Sequence, residues 1–169
     1  MLMKLFVDWV HHGLGEIDYN NIEKLRKKPS FKNSLFLNFN YTRTIEQVYG
    51  IKASDICHIH GEVSSRTEGI YFGNGDDEEF EGFFDRLSKV NKIYSYGFSF
   101  SEVDMPYIEE IAKIVVPRQT RWYFNKYDME NNKEYIEMVK KLGFKVRKCS
   151  YVGRNVYSCV AKLLWGRGL

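Results

Sequence analysis

From residue 34 onward, short apolar runs alternate along the chain with amphipathic stretches of about ten residues or more. Such alternation is typical of α/β proteins, in which strands are followed by helices that pack on the sheet. The runs that predict strands lie at 34–39, 56–60, 70–72, 92–96, 121–124 and 144–148. Several are apolar without strict alternation, as in strands that are covered on both faces. The pattern therefore predicts a three-layer, Rossmann-like, mostly parallel sheet with helices on both faces.

Helix signals lie between and after these strands. They predict helices at 42–49, 77–90, 104–114, 128–142 and 155–165. Asp104 and Asp128 are candidate N-caps, because a short carboxylate side chain can accept a hydrogen bond from the first turn of a helix. Gly50 and Gly143 follow the last periodic residues of two of the helices, where glycine commonly ends the helical conformation.

The length and composition fit one domain. The chain has 169 residues, of which 44% are hydrophobic, enough for one sizeable core. We expect a helical lead-in at 1–33, the remnant of a helical region, followed by the α/β domain at 34–169. The 25 Lys and Arg against 22 Asp and Glu leave a net charge of +3, too balanced for a nucleic-acid polyelectrolyte. The sequence contains no transmembrane run and no Cys-x-x-Cys pair, and Lys4 and Asp8 interrupt its opening apolar residues. We therefore expect no signal peptide and a cytoplasmic protein with reduced thiols.

Small, amide or imidazole residues follow the predicted strands. In an open parallel sheet, ligands bind outside the carboxyl ends of the strands. The residues at these ends are Asn38, Asn40, His58, His60, Gly61, Gly73, Gly97, Ser99 and Asn125. Glycines let a phosphate or ribose approach the backbone, Asn and Ser bind hydroxyls, and His transfers protons near neutral pH. The set suits a nucleotide-like ligand, although turn geometry and helix capping alone also favour Gly, Asn and Ser here.

Four local strings in this region carry a family resemblance. They are Asn38-Phe39-Asn40-Tyr41-Thr42, His58-Ile59-His60-Gly61, Ile70-Tyr71-Phe72-Gly73 and Tyr96-Gly97-Phe98-Ser99, together with Glu46, Asp104 and Tyr107. In order and spacing they resemble the abortive infection protein AbiH family over nearly the whole chain. AbiH proteins in turn resemble the sirtuin-like fold, which binds NAD. The resemblance implies bacterial defence against phage and an enzyme that hydrolyses the nicotinamide glycosidic bond of NAD.

The resemblance also implies roles for individual residues. His60 takes the place of the general base, and Asn40 that of the asparagine that orders the ribose and the attacking water. The positions that match nucleotide-binding residues are Asn38, Thr42, Gly61, Gly73, Gly97, Ser99 and Asn125. A histidine, with an ordinary pKa of about 6.5, is suited to take the proton of that water. NAD is implied as the substrate, and no metal is expected.

The chain departs from the family pattern in two respects. Sirtuin-like enzymes commonly carry Asp two positions after the key asparagine, where this chain has Thr42. AbiH relatives begin with a strand and a glycine-rich phosphate loop, and no such beginning precedes residue 34 here. The Gly73-Asn74-Gly75 string is followed by an acidic run, which would repel a pyrophosphate. We therefore expect the C-terminal portion of an AbiH protein: a truncated product, one half of a split protein or a minimal relative.

Three other interpretations stay open. A catalytically inactive interaction module would complete a nucleotide-binding fold with an N-terminal partner chain or a second copy of itself. A metal site would use His58 and His60, two positions apart on a predicted strand, but their spacing identifies no third ligand. Nucleic-acid binding would use the lysines at 24–32 and 140–148, and the acidic run at 76–81 opposes it.

Overall fold

The computed structural model describes residues 33–61, 78–96, 98–149 and 160–165. Its strands are β1 (Ser34–Asn38), β2 (Ile56–His58), β3 (Val90–Tyr96), β4 (Arg121–Phe124), β5 (Lys145–Lys148) and β6 (Val160–Trp165). Its helices are α1 (Thr44–Tyr49), α2 (Glu78–Asp85), α3 (Met105–Ile114), α4 (Lys126–Asn131) and α5 (Lys133–Lys141), with 3₁₀ turns at Ala53–Asp55 and Arg86–Lys89. This mixture of helices and strands confirms the predicted α/β class.

The strands form one mixed sheet in the order β2-β1-β6-β3-β4-β5. β1 and β2 are parallel to each other, and β3, β4 and β5 form a second parallel block. β6 lies between the two blocks and runs antiparallel to both β1 and β3. The sheet is therefore two parallel blocks joined through a central antiparallel strand, rather than one parallel sheet.

The final helix predicted at 155–165 is wrong over its last six residues, which form β6. This short run is mostly apolar, and periodicity alone does not distinguish a buried strand from a helix segment at such a length. Pairing decides the conformation, because Ala161 lies in register with Leu37 of β1 on one side and Ser95 of β3 on the other. A strand in this position has ladder partners along both edges. Residues 155–159 lie outside the described part.

Other elements differ from the predictions mainly at their ends. The predicted helix 128–142 is two helices, α4 and α5, and α4 is capped by Asn125 rather than by Asp128. α1 ends at Gly50, whose left-handed φ of +65° favours glycine. The predicted strand 56–60 ends at His58, and the next two residues form a turn. The predicted strand 70–72 and residues 1–32 of the helical lead-in predicted at 1–33 lie outside the described residues.

The core lies on both sides of β1. Leu35 and Leu37 are fully buried in a large cluster with side chains of the strands β2, β3 and β4 and of the helices α3 and α5. Phe36 points to the opposite face, where it packs with Ile45 of α1 and Ile56 of β2. This double coverage explains why the first strand reads as a continuous apolar run. None of the helices in the described part of the chain is long and apolar enough to cross a membrane.

Candidate active site

The site is built where β1 and β2 end side by side. Because the two strands are parallel and Asn38 lies in register with His58, the loops that follow them leave the sheet together. The backbone N–H of Ile59 donates to the carbonyl of Asn38 at 2.9 Å, which extends the pairing by one residue. The chain then turns through Gly61, whose φ of +77° favours glycine. This turn places His60 at the carboxyl end of the sheet.

His60 forms a hydrogen-bonded pair with Asp104, the residue before α3. The distance from His60 Nε2 to Asp104 Oδ1 is 2.8 Å, and Ser101 Oγ donates to the other oxygen, Oδ2, at 2.6 Å. The side chains of His60 and Asp104 are 15% and 9% exposed, so the pair is largely withdrawn from water. Within the described part of the chain, His60 Nδ1 has no hydrogen-bond partner. His60 Nδ1 and its lone pair therefore lie unbonded, among the described residues, at the carboxyl ends of the strands.

The Asp104 carboxylate is held in its ionised form. Burial by itself raises the pKa of Asp104, but the hydrogen bonds from His60 and Ser101 outweigh burial and hold the pKa below its ordinary value. Asp104 stands at the N-cap position of α3, as predicted, yet its side chain makes no capping hydrogen bond. The carboxylate bonds His60 instead. The predicted N-cap position of Asp104 is therefore correct, but the predicted capping hydrogen bond is wrong.

Aromatic rings surround His60. The ring centroids of Phe39, Tyr41 and Tyr107 lie 6.0, 6.0 and 6.4 Å from that of His60. Burial first, and the Asp104 carboxylate after it, raise the pKa of Tyr41, and burial is also the main cause of the raised pKa of Tyr107. Both phenols are therefore neutral at neutral pH. His60 faces uncharged ring surfaces on these sides, with Asp104 as its charged partner.

His58 has a different environment. Its Nε2 lies 2.7 Å from Glu46 Oε1, and its Nδ1 lies 3.2 Å from Asn38 Nδ2. Burial by itself raises the pKa of Glu46, but the hydrogen bond from His58 and a backbone hydrogen bond, with lesser help from the charge of Arg43, keep that pKa below its ordinary value. Since both ring nitrogens of His58 are engaged, this histidine joins the buried Asn38 to the partly buried Glu46 and serves the structure.

Asn38 organises the loop that follows β1. Its Oδ1 accepts the backbone N–H of Asn40 at 3.0 Å, and its Nδ2 donates to the carbonyl of Thr42 at 2.9 Å and to His58 Nδ1. Because Oδ1 faces a donor, the orientation of the amide is fixed, and His58 Nδ1 is the acceptor. His58 therefore carries its proton on Nε2, which donates to Glu46. Asn38 is only 1% exposed, so it holds this loop from inside the protein.

The remaining predicted site residues fall into three groups. Gly61 lies in the turn beside His60, and Asn40 and Thr42 lie in the loop that Asn38 holds. Ser99 is exposed after β3, and Asn125 caps α4 by accepting the backbone N–H of Asp128 at 2.8 Å. The two predicted positions outside the described residues are Gly73 and Gly97. The capping role of Asn125 is the turn chemistry that the sequence offered as the alternative to ligand binding.

Sequence reasoning missed the contacts that Ser101, Tyr41 and Tyr107 make at the site, and it treated Glu46 as either a ligand contact or a helix charge. One general signal was available, since a half-buried histidine usually has a carboxylate or carbonyl beside one ring nitrogen. That rule does not say which carboxylate, and the two histidines pair with different ones, Glu46 and Asp104. In the described ranges, no group of three or more His, Cys, Asp or Glu residues could hold a metal ion.

The fold and the site define a class: an α/β protein with a carboxylate–histidine pair at the carboxyl ends of neighbouring parallel strands. The sequence model of the bacteriophage abortive infection AbiH family matches residues 2–82 and 76–126, a span that includes every predicted site residue. The chain therefore belongs to the AbiH family, which confirms the resemblance to AbiH proteins and supports a role in abortive-infection defence against phage. No curated protein and no solved structure matches the chain.

Proposed function

We propose that this AbiH protein defends bacteria against phage by hydrolysing NAD at the nicotinamide glycosidic bond, on a sirtuin-like, three-layer Rossmann-like scaffold. His60 is the general base, and Asn40 orders the ribose and the attacking water. The single observation that carries the proposal is the pairing of His60 Nε2 with Asp104 at 2.8 Å, which leaves Nδ1 without a partner among the described residues. A histidine held in this way can accept a proton.

The proposed reaction uses one ionisable side chain of the protein as a base, that of His60. The bond between the ribose C1′ and the nicotinamide nitrogen breaks, and its electron pair neutralises the positive ring nitrogen of the leaving nicotinamide. Positive charge develops on the ribose as an oxocarbenium-like transition state. Water adds to C1′ and gives its proton to His60 Nδ1, which passes it to solvent. The products are nicotinamide, ADP-ribose and a proton.

The surroundings of His60 support this chemistry. The neutral rings of Phe39, Tyr41 and Tyr107 limit water around the base, and electrostatic interactions are stronger where water is limited. The buried amide of Asn38 fixes the backbone of Asn40, so the loop is ordered before any ligand arrives. In this proposal the nucleotide lies along the strand ends, with its remaining contacts at Thr42, Gly61, Gly73, Gly97, Ser99 and Asn125.

The test is nicotinamide release from NAD by the purified chain, followed by chromatography. We expect His60→Ala and Asn40→Ala to reduce the rate about 10²- to 10⁴-fold, the range for loss of a positioned proton-transfer group. Asn131→Ala is the matched control, because Asn131 is an exposed asparagine far along the chain whose amide, among the described residues, bonds only the carbonyl of Tyr127. Absence of release by the unmutated chain, or equal rates in all variants, would refute hydrolysis by this site. Absence of release would favour the partner-dependent interaction module.

A further inference from the structure

The contact between His60 and Asp104 assigns different tasks to the two nitrogens of one imidazole ring. We propose that Asp104 is a positioning residue: it holds the proton of His60 on Nε2, so that Nδ1 is the nitrogen that acts as the base, while Ser101 fixes the carboxylate. The catalytic part of this inference rests on the proposed function. The tautomer does not, and it is measurable in a chain that hydrolyses nothing.

The proton position follows from the partners. An ionised carboxylate has only acceptor atoms, so a nitrogen that bonds to it must carry the proton. The 2.8 Å distance from Nε2 to Asp104 Oδ1 is typical of an N–H donor bonded to a carboxylate. A neutral imidazole has one N–H, and placing it on Nε2 leaves the lone pair on Nδ1. The same contact stabilises the imidazolium that forms when Nδ1 takes a proton.

The carboxylate is itself held from two sides. Ser101 Oγ donates to Asp104 Oδ2 at 2.6 Å, and the backbone N–H groups of Asp104 and Met105 donate to the Ser101 carbonyl at 3.0 and 3.1 Å. Serine and aspartate are thereby fixed in one turn at the start of α3. Phe100, directly before this turn, has a left-handed φ of +50° although it is buried and bulky. Such a conformation persists only where the surroundings hold it.

Two other residues, Asn125 at a helix N-cap and His58 beside a carboxylate, show how the His60–Asp104 pair differs from a purely structural contact. Asn125 occupies the same position before α4 as Asp104 does before α3, and Asn125 caps its helix whereas Asp104 does not. His58 also bonds a carboxylate through Nε2, but its Nδ1 is bonded to Asn38. Only His60 therefore combines an oriented ring with an unbonded Nδ1 among the histidines that the structure describes.

The tautomer is tested by NMR of the chain labelled with ¹⁵N in its histidine rings, at about pH 8, above the ordinary histidine pKa of about 6.5. The His60 signals are assigned by their loss in His60→Gln. We expect a protonated Nε2 and an unprotonated Nδ1, and Asp104→Asn should mix the two tautomers of His60 without altering the signals of His58. Glu46→Gln is the matched control, expected to alter His58 and leave His60 unchanged.

A protonated Nδ1 on His60 in the unmutated chain overturns the proposal, and this measurement holds even where Asp104→Asn fails to fold. An unchanged His60 tautomer in a folded Asp104→Asn overturns it as well. The predicted tautomer together with no nicotinamide release would leave the positioning role intact and refute NAD hydrolysis.

Kinetics give an independent reading if NAD is hydrolysed. Asp104→Asn is expected to lower kcat about 10²- to 10⁴-fold while KM changes little, because the carboxylate acts through His60 on the chemical step. The double variant His60→Ala with Asp104→Asn should be no slower than His60→Ala alone, since residues that act as a unit are not additive. Additive losses would show that Asp104 acts independently of His60 and would overturn its role as a positioning residue.

Discussion

Replacing Asn38 by alanine removes the side chain that ties the end of β1 to its neighbours. The amide makes three hydrogen bonds: it accepts from Asn40 N at 3.0 Å, and it donates to Thr42 O at 2.9 Å and to His58 Nδ1 at 3.2 Å. Asn38 is 1% exposed, so water has little access to its side chain in the folded protein. The substitution therefore leaves three polar groups without their present partner.

The expected loss of stability follows from those three bonds. A hydrogen bond contributes about 1 kcal/mol net, and a buried group left without a partner costs about 1–3 kcal/mol. Because the partners of Asn38 are only partly buried and regain some hydration, we expect Asn38→Ala to lower the free energy of unfolding by about 3 kcal/mol. This is a large share of the roughly 5–15 kcal/mol that stabilises a typical domain.

The assay is urea unfolding followed by fluorescence. With an m-value of about 2–3 kcal/mol/M, a loss of about 3 kcal/mol lowers the midpoint by about 1–1.5 M urea without changing the slope. Asn131→Ala is the matched control, because the amide of Asn131 bonds one carbonyl at an exposed position, and its effect should stay within about 0.5 kcal/mol. A loss below about 1 kcal/mol for Asn38→Ala would refute the view that its amide organises the loop.

Three further outcomes are expected. Trp122→Phe should lower the free energy of unfolding, measured in urea, by about 1–3 kcal/mol, because the buried Ser95 hydroxyl loses the indole N–H that donates to it at 3.1 Å. Adding Ser95→Ala to the same chain should recover part of the lost stability. Asp104 and Glu46 have pKa values below their ordinary 3.8 and 4.5, so the stability that they contribute is complete above those values and is lost as pH falls through the lower folded-state pKa. The free energy of unfolding measured from pH 6 to pH 2 should therefore fall with pH. Asp104→Asn should make this fall smaller. Burial, aided by Tyr123, raises the pKa of Tyr94 to about 12. Tyr94→Phe should therefore remove one phenol that ionises near pH 12 in an ultraviolet pH titration, and an unchanged titration near pH 12 would contradict this.

Much of the fold could be predicted from local pattern. The strand predicted at 121–124 is the observed β4, and those predicted at 34–39 and 144–148 exceed β1 and β5 by one residue each. Polar or turn-forming residues bound most of these runs, and their buried apolar side chains lie in the core. The start of α3 was predicted because Asp104 is a candidate N-cap, and Asp104 does stand at the N-cap position of that helix.

The main error, β6, arose because the local pattern of residues does not distinguish a strand from a helix there. A mostly apolar run of six residues fits a buried strand or a helix end equally well. The conformation therefore depends on whether unpaired strand edges lie on either side of it. β1 and β3 supply both edges, from parts of the chain far away in sequence. Local pattern likewise put Asp104 at the start of a helix and could not foresee that its carboxylate bonds His60.

The sequence by itself determined the α/β class, most strand positions, the family, and the candidate residues at the strand ends, because these depend on the spacing of neighbouring residues. Only the tertiary structure decided which of His58 and His60 has an unbonded ring nitrogen among the described residues. His60 and Asp104 are 44 positions apart, and they meet because β2 ends beside the helix that Asp104 precedes. A hydrogen bond between residues so far apart in sequence depends on the topology of the sheet, which local sequence patterns do not determine.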